Sequence, residues 1–161
     1  MTILGIDPGT ATTGYGVIQQ SATPGKGRPW KHVANGCILT SKTLTKGKRL
    51  WILEKEMNKL LNEYKPDIVA VETLFFFNNA RTVMPVSEAR GVIHLCIAKK
   101  NLAVQELAPA QVKMLVTGYG RAEKKDMQEK VKNVFGSKKI PKPDDAADAL
   151  AIAICAANSL L

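Results

Sequence analysis

The first forty residues alternate short apolar runs with turn-forming residues. Runs at residues 2–7 and 13–20 predict two strands that pair across a tight turn at residues 8–10, where Pro and Gly stand together. A connection rich in Pro and Gly at residues 23–29 leads to a mixed run at residues 30–40, which predicts a third strand. The chain is therefore expected to begin with three antiparallel strands.

Helical periodicity and then a short buried strand follow. Between Leu50 and Tyr64 apolar residues recur at steps of three and four, which predicts an amphipathic helix over residues 44–64 that Pro66 stops. The run at residues 68–71 is short, rich in β-branched residues and apolar on both faces. This pattern is typical of a central strand that helices cover on both sides.

The remaining sequence predicts one more strand among helices. A helical stretch at residues 78–100 contains Pro85, which must kink the helix or delay its start. Beyond it the pattern predicts a strand and then three helices, at residues 102–106, 109–117, 122–135 and 145–159. The last helix is apolar nearly all round, so we expect it to be buried.

This order of elements predicts an α/β fold. Three antiparallel strands followed by alternating helices and strands give a mixed five-stranded sheet flanked by helices on both faces, as in domains of the ribonuclease H type. The chain has 161 residues, and no linker divides it. We therefore expect a single domain, residues 1–161.

The chain is basic, with 23 Lys and Arg residues against 14 acids and a formal net charge of +9. Such a charge favours a polyanionic partner, nucleic acid or an acidic membrane surface, and simple solubility is the alternative. The excess is uneven, because residues 113–142 hold nine basic residues and three acids. Four more basic residues surround the start of the first predicted helix, namely Lys42, Lys46, Lys48 and Arg49.

The sequence predicts neither a membrane span nor a secretory signal. No stretch approaches the roughly 18 apolar residues of a membrane span, and the first apolar run ends at Asp7 with no basic segment before it. Cys37, Cys96 and Cys155 lie in apolar stretches without a C-x-x-C spacing, so we expect three buried thiols. These features predict a cytoplasmic protein that does not contact a membrane.

Two acids stand at the ends of predicted apolar strands. Asp7 precedes Pro8 and Gly9, and Glu72 ends the central strand. If the two strands pair in the sheet, both carboxylates emerge side by side at one edge, where open α/β sheets place their sites. The alternatives are a turn-forming Asp and a strand-end Glu that faces solvent.

Two further acids stand at the start of the last predicted helix. Asp145 and Asp148 are three positions apart, so they share one helix face, and we expect both in the first turn. First-turn acids also cap free N–H groups, which is the alternative explanation for this pair. Asp144 precedes the pair and is interpreted as a capping or solvated residue.

Four clustered acids in a basic protein would repel one another unless a cation neutralised them. The candidate ligands are all oxygens, which favours Mg²⁺ or Mn²⁺ over Zn²⁺. Two such ions about 4 Å apart can split a phosphodiester, because one activates the attacking water and the other stabilises the departing oxygen. His32 and His94 are poor catalytic candidates, and His94 lies in an apolar helical run where we expect it to pack.

Several motifs of the sequence resemble those of a known nuclease family. The segments ILGIDPG at residues 3–9 and TGYGVI at residues 13–18 are similar to the N-terminal signature of RuvC, the bacterial Holliday junction resolvases. Further blocks match the family in the same order, at residues 70–72, 89–91, 111–113 and 145–153. The resemblance spans nearly the whole chain.

The resemblance implies a ribonuclease H-like endodeoxyribonuclease that works as a homodimer in recombination and DNA repair. It implies symmetric nicking of two strands of a four-way junction, with 5′-phosphate and 3′-hydroxyl ends, beside a branch-migration motor of the RuvA and RuvB type. The catalytic acids, which also hold two Mg²⁺ ions per site with Mn²⁺ as a substitute, would be Asp7, Glu72, Asp145 and Asp148.

The resemblance also implies a set of residues that contact DNA. Phe75 matches a position that stacks on a base near the crossover, whereas core packing is the alternative for at least one residue of its three-Phe cluster. Lys124 is the basic residue expected to stabilise phosphate charge, and it counts among the catalytic residues. For most of the other basic residues, a solvated helix face is the alternative. The full set is Phe75, Asn79, Lys113, Arg121, Lys124 and Lys125.

Three other functions remain open at this point. The turn after Asp7 is similar to the phosphate-binding hairpin of sugar kinases and actin-like ATPases, but those folds need two such domains. A RuvC-like nuclease of ribosomal RNA maturation is a nearer alternative, although such proteins tend to be shorter. A junction-binding protein that does not cut is the third, and the four acids argue against it, since carboxylates near phosphates repel DNA unless metal is bound.

Overall fold

One five-stranded sheet organises the molecule. The structure, a computed structural model, describes residues 1–21, 29–73 and 80–160. The strands are β1 (Thr2–Asp7), β2 (Thr12–Gln20), β3 (Trp30–Leu39), β4 (Ile68–Glu72) and β5 (Ala103–Leu107). Their order in the sheet is β3-β2-β1-β4-β5. β2 pairs antiparallel with both β1 and β3, whereas β4 runs parallel to β1 and β5, so the sheet is mixed.

Helices cover both faces of this sheet. They are α1 (Lys46–Tyr64), α2 (Ala80–Lys99), α3 (Pro109–Thr117), α4 (Lys124–Phe135) and α5 (Asp144–Asn158). On one face, buried residues of α1 and α2 pack against Leu4, Ile6 and Val71. On the other face, α5 packs with residues of α3 and α4 against Ile3 and Ala70. The sheet thus separates two apolar cores.

The central strand β4 and the last helix α5 are buried, as their apolar sequences predict. Val69 and Val71 of β4 belong to one core and Ala70 to the other, and all three are buried. A strand covered on both faces needs apolar residues at every position, as the sequence has here. α5 is buried along nearly its whole length, from Ala146 to Ala157.

Glycines on two strands let α5 lie directly against the sheet. A Cβ added at Gly5 of β1 would overlap the carbonyl oxygen of Ala149, and one added at Gly14 of β2 would overlap the carbonyl oxygen of Asp145. Any side chain at these positions would push the helix away. The close approach sets how far the N-terminal end of α5 stands from the end of β1.

The structure confirms the predicted fold and most of the predicted elements. Pro85 lies within α2, so of the two effects expected of it, a kink or a delayed start, the delayed start does not occur. Pro85 stands past the first four residues of α2, and a proline at such a position lacks the N–H that a helix residue donates to the preceding turn. Of the predicted connection at residues 23–29, all but Pro29 lies outside the described residues.

Two expectations about single residues need correction. Cys96 and Cys155 are buried as predicted, whereas Cys37 on β3 is only partly buried. His94 is also half-buried rather than packed in the core, because its Nε2 lies 3.1 Å from Oε1 of Glu106 on β5. Neither histidine lies among the residues that line the site described below. No helix in the described part of the chain has the length and apolar character to cross a membrane.

Candidate active site

Neighbouring parallel strands bring Asp7 and Glu72 to the same edge of the sheet. The register of β1 and β4 pairs Ile3 with Ile68 and Ile6 with Val71, so the two acids follow at the next position of each strand. The strands run parallel, and their carboxyl ends therefore meet at one edge. The prediction from the two apolar runs is confirmed in this respect.

The start of α5 adds two more acids. One carboxylate oxygen from each of Asp7, Asp145 and Asp148 lies within 4.8 Å of the others. Residues of α5 lie close to β1 and β2 because Gly5 and Gly14 leave no side chain between the helix and the strands. The three-residue spacing of the two aspartates then turns both toward Asp7.

The helix start differs from the expectation in one respect. α5 begins at Asp144, so Asp145 lies in the first turn and Asp148 lies in the second. Pro143 occupies the N-cap position, where no side chain caps the helix. The capping explanation therefore fails for Asp148, which lies beyond the free N–H groups of the helix start.

A cavity of about 220 Å³ opens at this edge of the sheet. Asp7, Glu72 and Asp148 line it together with Lys113 of α3 and Lys124 of α4. Apolar residues of α3, α4 and α5 complete its wall. Asp7 and Asp148 thus line the cavity together with Glu72 and also converge with Asp145.

Burial and mutual repulsion raise the pKa values of the acids. Burial is the main cause for Asp7, followed by the charges of Glu72, Asp148 and Asp145, and its pKa rises from 3.8 to about 8. Burial and then Asp148 raise the pKa of Glu72 from 4.5 to about 7, although Lys113 opposes the shift. Near neutral pH the cluster therefore retains protons that isolated carboxyl groups would have lost.

Lys124 lies in contact with the cluster. Its Nζ lies 3.2 Å from Oδ2 of Asp148 and 3.5 Å from Oδ2 of Asp144. Burial alone would lower the pKa of Lys124, but the hydrogen bonds and charges of the two aspartates outweigh it and raise that pKa. Burial raises the pKa of Asp148 despite its contact with Lys124.

The chemistry of the donor set fits a divalent cation. Three carboxylate oxygens converge, and the same proximity makes the ionised cluster unfavourable without a positive charge between them. Asp7, Asp145 and Asp148 are the residues that could hold such an ion, with Glu72 on the adjoining cavity wall. Oxygen-only ligands are those that Mg²⁺ and Mn²⁺ prefer.

The structure separates the predicted DNA-contacting residues into three groups. Lys113 and Lys124 line the cavity. Arg121 and Lys125 are exposed and do not line it. Phe75 lies outside the described residues, as do the rest of its three-Phe cluster and Asn79.

Sequence reasoning missed one contact of the site. Asp144, interpreted as a cap or a solvated residue, is exposed but pairs with Lys124 and accepts a hydrogen bond from Nε2 of Gln128 at 3.3 Å. The consecutive acids at residues 144 and 145 indicated that the helix start carries negative charge. They could not indicate that α4 would present Lys124 and Gln128 to Asp144.

Comparison with known proteins decides the family. The family model described as crossover junction endodeoxyribonuclease RuvC matches residues 3–156. The chain belongs to the RuvC family. The RuvC of Fusobacterium nucleatum is 48% identical over 160 residues, which cover 99% of this chain and 82% of that protein. The RuvC of Syntrophomonas wolfei is 49% identical over 159 residues, 99% of this chain and 90% of that protein.

A solved RuvC structure shares the fold. The chain matches Thermus thermophilus RuvC in complex with a Holliday junction substrate at a TM-score of 0.90 and 29% identity, covering 99% of this chain and 94% of that one. The ribonuclease H-like arrangement predicted from the order of elements is therefore that of RuvC. The expected resemblance to the family is confirmed along the chain's length.

Proposed function

We propose that this protein is a structure-specific endodeoxyribonuclease that resolves four-way DNA junctions in recombination and repair. Membership of the RuvC family supports the proposal, as does the likeness to a RuvC bound to a Holliday junction. The observation that carries it is the convergence of Asp7, Asp145 and Asp148, with Glu72 beside them, in a protein of net charge +9. Basic surfaces attract DNA, and an acidic cluster within them favours a metal-dependent reaction over binding alone.

The four acids are the proposed catalytic residues and the proposed ligands of two Mg²⁺ ions, with Mn²⁺ as a substitute. Bound divalent cations would supply the Lewis acidity that activates a water and stabilises the departing oxygen of a phosphodiester. Asp7, Asp145 and Asp148, whose carboxylate oxygens converge, would hold metal together with Glu72 on the adjoining cavity wall. Hydrolysis would leave 5′-phosphate and 3′-hydroxyl ends.

The two lysines that line the cavity would bind the phosphate of the substrate. Lys124 lies beside Asp148, where its ammonium can neutralise charge on a phosphate held against the acids. Lys113 lines the same cavity and would help to bind that phosphate. Arg121 and Lys125, which are exposed, would contact the DNA backbone further out, and Phe75 and Asn79 are proposed to contact the junction itself.

We propose that residues 1–161 form one domain and that two copies act together. A four-way junction has two equivalent strands to cut, so a two-fold dimer presents one site to each. On α2, Met84, Gly91 and Leu95 are exposed at spacings of seven and four, which places them on one stripe of the helix. An exposed apolar stripe of this kind suits a helix of a second copy.

The proposed setting is the bacterial cytoplasm. The curated relatives reported above are bacterial RuvC proteins. There the protein would act at junctions that a branch-migration motor of the RuvA and RuvB type has moved along the DNA.

A cleavage assay tests the proposed function. Purified protein with Mg²⁺ is incubated with a synthetic four-way junction, with linear duplex of the same sequence and with structured RNA. We expect paired nicks in the junction, little cutting of the duplex or the RNA, and no cutting in EDTA. Asp7→Asn should lower the cleavage rate by at least about a hundredfold, because it removes a charged oxygen ligand from the converging acids.

The same assay excludes the alternatives. Binding of the junction without nicks, at any Mg²⁺ or Mn²⁺ concentration, would indicate a junction-binding protein that does not cut. Preferential cutting of RNA would indicate a role in RNA maturation. Cleavage by Asp7→Asn at the wild-type rate would contradict the assignment of the acidic cluster.

A further inference from the structure

Asp144 is an acid of the site region that the proposed reaction does not use. It is the first residue of α5, and its side chain is 57% exposed. Its neighbour Asp145 belongs to the group of converging oxygens, whereas Asp144 does not. An exposed acid beside a DNA-binding surface is unfavourable for binding unless it has another role.

Both carboxylate oxygens of Asp144 have donors on α4. Oδ2 lies 3.5 Å from Nζ of Lys124, and Oδ1 accepts a hydrogen bond from Nε2 of Gln128 at 3.3 Å. Lys124 and Gln128 are one turn apart, so they lie on the same face of α4. Asp144 therefore connects the start of α4 to the start of α5.

Lys124 also contacts Asp148, whose carboxylate is a proposed metal ligand. Its Nζ lies 3.2 Å from Oδ2 of Asp148, one of the three converging acids. A divalent cation held by Asp148 would weaken this contact, because it competes for the carboxylate and repels the ammonium. Asp144 stands outside the converging group and would keep its contact with Lys124.

We propose that Asp144 is a positioning residue, which holds the ammonium of Lys124 at the rim of the acidic cluster. The inference rests on the proposed function, since it assigns Lys124 the task of neutralising phosphate charge. Gln128 fixes the other oxygen of Asp144 and so restricts the rotation of the carboxylate. Lys124 is thereby kept beside the cluster whether or not Asp148 is available to it.

Positioning and simple charge give opposite expectations for Asp144→Asn. If Asp144 were only an exposed negative charge, its removal would leave kcat unchanged and improve binding of the polyanionic junction. If Asp144 positions Lys124, kcat should fall about three- to fivefold, as for loss of one partly exposed ion pair, while KM does not rise. Asp144→Glu, which restores the carboxylate, should recover most of kcat.

Glu123→Gln is the matched control for charge. It removes one negative charge immediately before Lys124, at the N-cap position of α4, and keeps a side-chain oxygen there that can accept a hydrogen bond. We expect this variant to keep the wild-type kcat. An equal fall in kcat for Glu123→Gln and Asp144→Asn would overturn the proposal.

A double-mutant cycle tests whether Asp144 acts through Lys124. In a Lys124→Gln background, Asp144→Asn should have no further effect on kcat. The same loss in both backgrounds would overturn the proposal. A kcat for Asp144→Asn that equals or exceeds the wild-type value would also overturn it.

A measurement on the metal-free protein separates this proposal from the proposed function. The ¹H and ¹³C resonances of the Lys124 ε-methylene should move in Asp144→Asn and stay in place in Glu123→Gln. Unchanged resonances in Asp144→Asn would show that Asp144 does not hold Lys124. If instead the resonances move but the wild-type protein leaves junctions intact, the proposed function fails and with it the catalytic task assigned to Lys124.

Discussion

Burial and charge repulsion both act on the carboxyl group of Asp7. It lies at the end of a buried strand, and three other acids raise its pKa in addition to burial. A carboxyl group in this setting favours its neutral form unless a bound cation stabilises the carboxylate. The same feature links the stability of the fold to pH and to metal.

The first prediction concerns the stability of the metal-free protein. The pKa of Asp7 rises from 3.8 to about 8 and that of Glu72 from 4.5 to about 7, so over this window the folded chain holds protons that the unfolded chain has released. Stability therefore falls as the pH rises through the window, most steeply while both groups stay protonated in the folded chain, and the fall levels off as the pH passes about 8. Urea unfolding in EDTA between pH 5 and pH 8 measures it.

Two comparisons make this measurement specific. Asp7→Asn removes one titrating group and should flatten most of the decline. Added Mg²⁺ should raise the stability at pH 8 more than at pH 5, because only the ionised acids bind it. A wild-type stability that rises with pH over this range would contradict the pKa directions and their cause.

At the scale of elements, the contact between α5 and the sheet decides whether the acids meet. Asp145 and Asp148 come from a helix and Asp7 from a strand, so their distance depends on how closely the two pack. Gly5 and Gly14 make that approach possible. The glycines are therefore part of the site although they carry no functional group.

The second prediction is that Gly14→Ala disturbs both fold and site. The added Cβ would overlap the carbonyl oxygen of Asp145, and backbone on both sides leaves little room to adjust. We expect a loss of about 3 kcal/mol in unfolding free energy, as for an overpacked core. Thermal and urea unfolding of the purified variant measure it.

Gly47→Ala provides the control. Gly47 lies near the start of α1 with open space around its Cα, so the substitution should be neutral or stabilise by up to about 1 kcal/mol. Wild-type stability and cleavage in Gly14→Ala would show that α5 can move away without disturbing the acids.

The elements were largely predictable because they depend on local patterns. The period of three to four residues between Leu50 and Tyr64 indicated α1, and the short apolar run around Ala70 indicated a strand covered on both faces. The position of Asp148 was less predictable. One residue of uncertainty at the start of α5 moves it between turns, and the sequence pattern leaves helix starts uncertain by that amount.

The sequence pattern could not predict the contacts between elements. Lys124 and Lys125 are adjacent and chemically alike, yet Lys124 lines the cavity and Lys125 does not. Successive residues on a helix point about 100° apart, so the packing of α4 selects which lysine faces the acids. The contact of Asp144 with Lys124 has the same origin, since it requires α4 and α5 to start side by side.

At the scale of the whole molecule, a basic chain carries an acidic site. The net charge is +9, and residues 113–142 hold nine of the 23 basic residues. Such a distribution attracts DNA over a long range and leaves the acids to act at short range. Residues outside the cavity should therefore contribute to affinity without contributing to the rate of the chemical step.

The third prediction applies this division to Arg121 and Lys125. Replacing both by Gln should weaken junction binding several-fold and lower the slope of log affinity against log salt by about 2, one for each lost phosphate contact. The cleavage rate at saturating protein should stay near that of the wild type, because neither residue lines the cavity. Fluorescence anisotropy at several salt concentrations, with single-turnover cleavage, measures both.

Lys59→Gln is the control for a general loss of charge. Lys59 lies on α1 and already pairs with Glu56 at 2.6 Å, so its loss should change affinity little. If Lys59→Gln and the double variant lost the same affinity per replaced residue, net charge, and not local contacts of Arg121 and Lys125, would govern binding.

The fourth prediction concerns the proposed dimer. Leu95 is 51% exposed and shares a stripe of α2 with Met84 and Gly91. A charge in the centre of an apolar helix interface is costly, so Leu95→Glu should convert the protein to a monomer at micromolar concentration. Multi-angle light scattering gives the mass of each form directly.

The consequence for cleavage separates a dimer that acts as a unit from one that merely forms. In a wild-type dimer the two nicks should follow each other within the lifetime of one complex, so a cruciform plasmid is linearised. Leu95→Glu should instead accumulate singly nicked circles, because each monomer cuts one strand and dissociates. Leu39→Glu, at a residue 70% exposed on β3, should remain dimeric and linearise the plasmid. A Leu95→Glu monomer that still makes paired nicks would contradict the coupling of the two sites, and a dimeric Leu95→Glu would place the interface away from this stripe of α2.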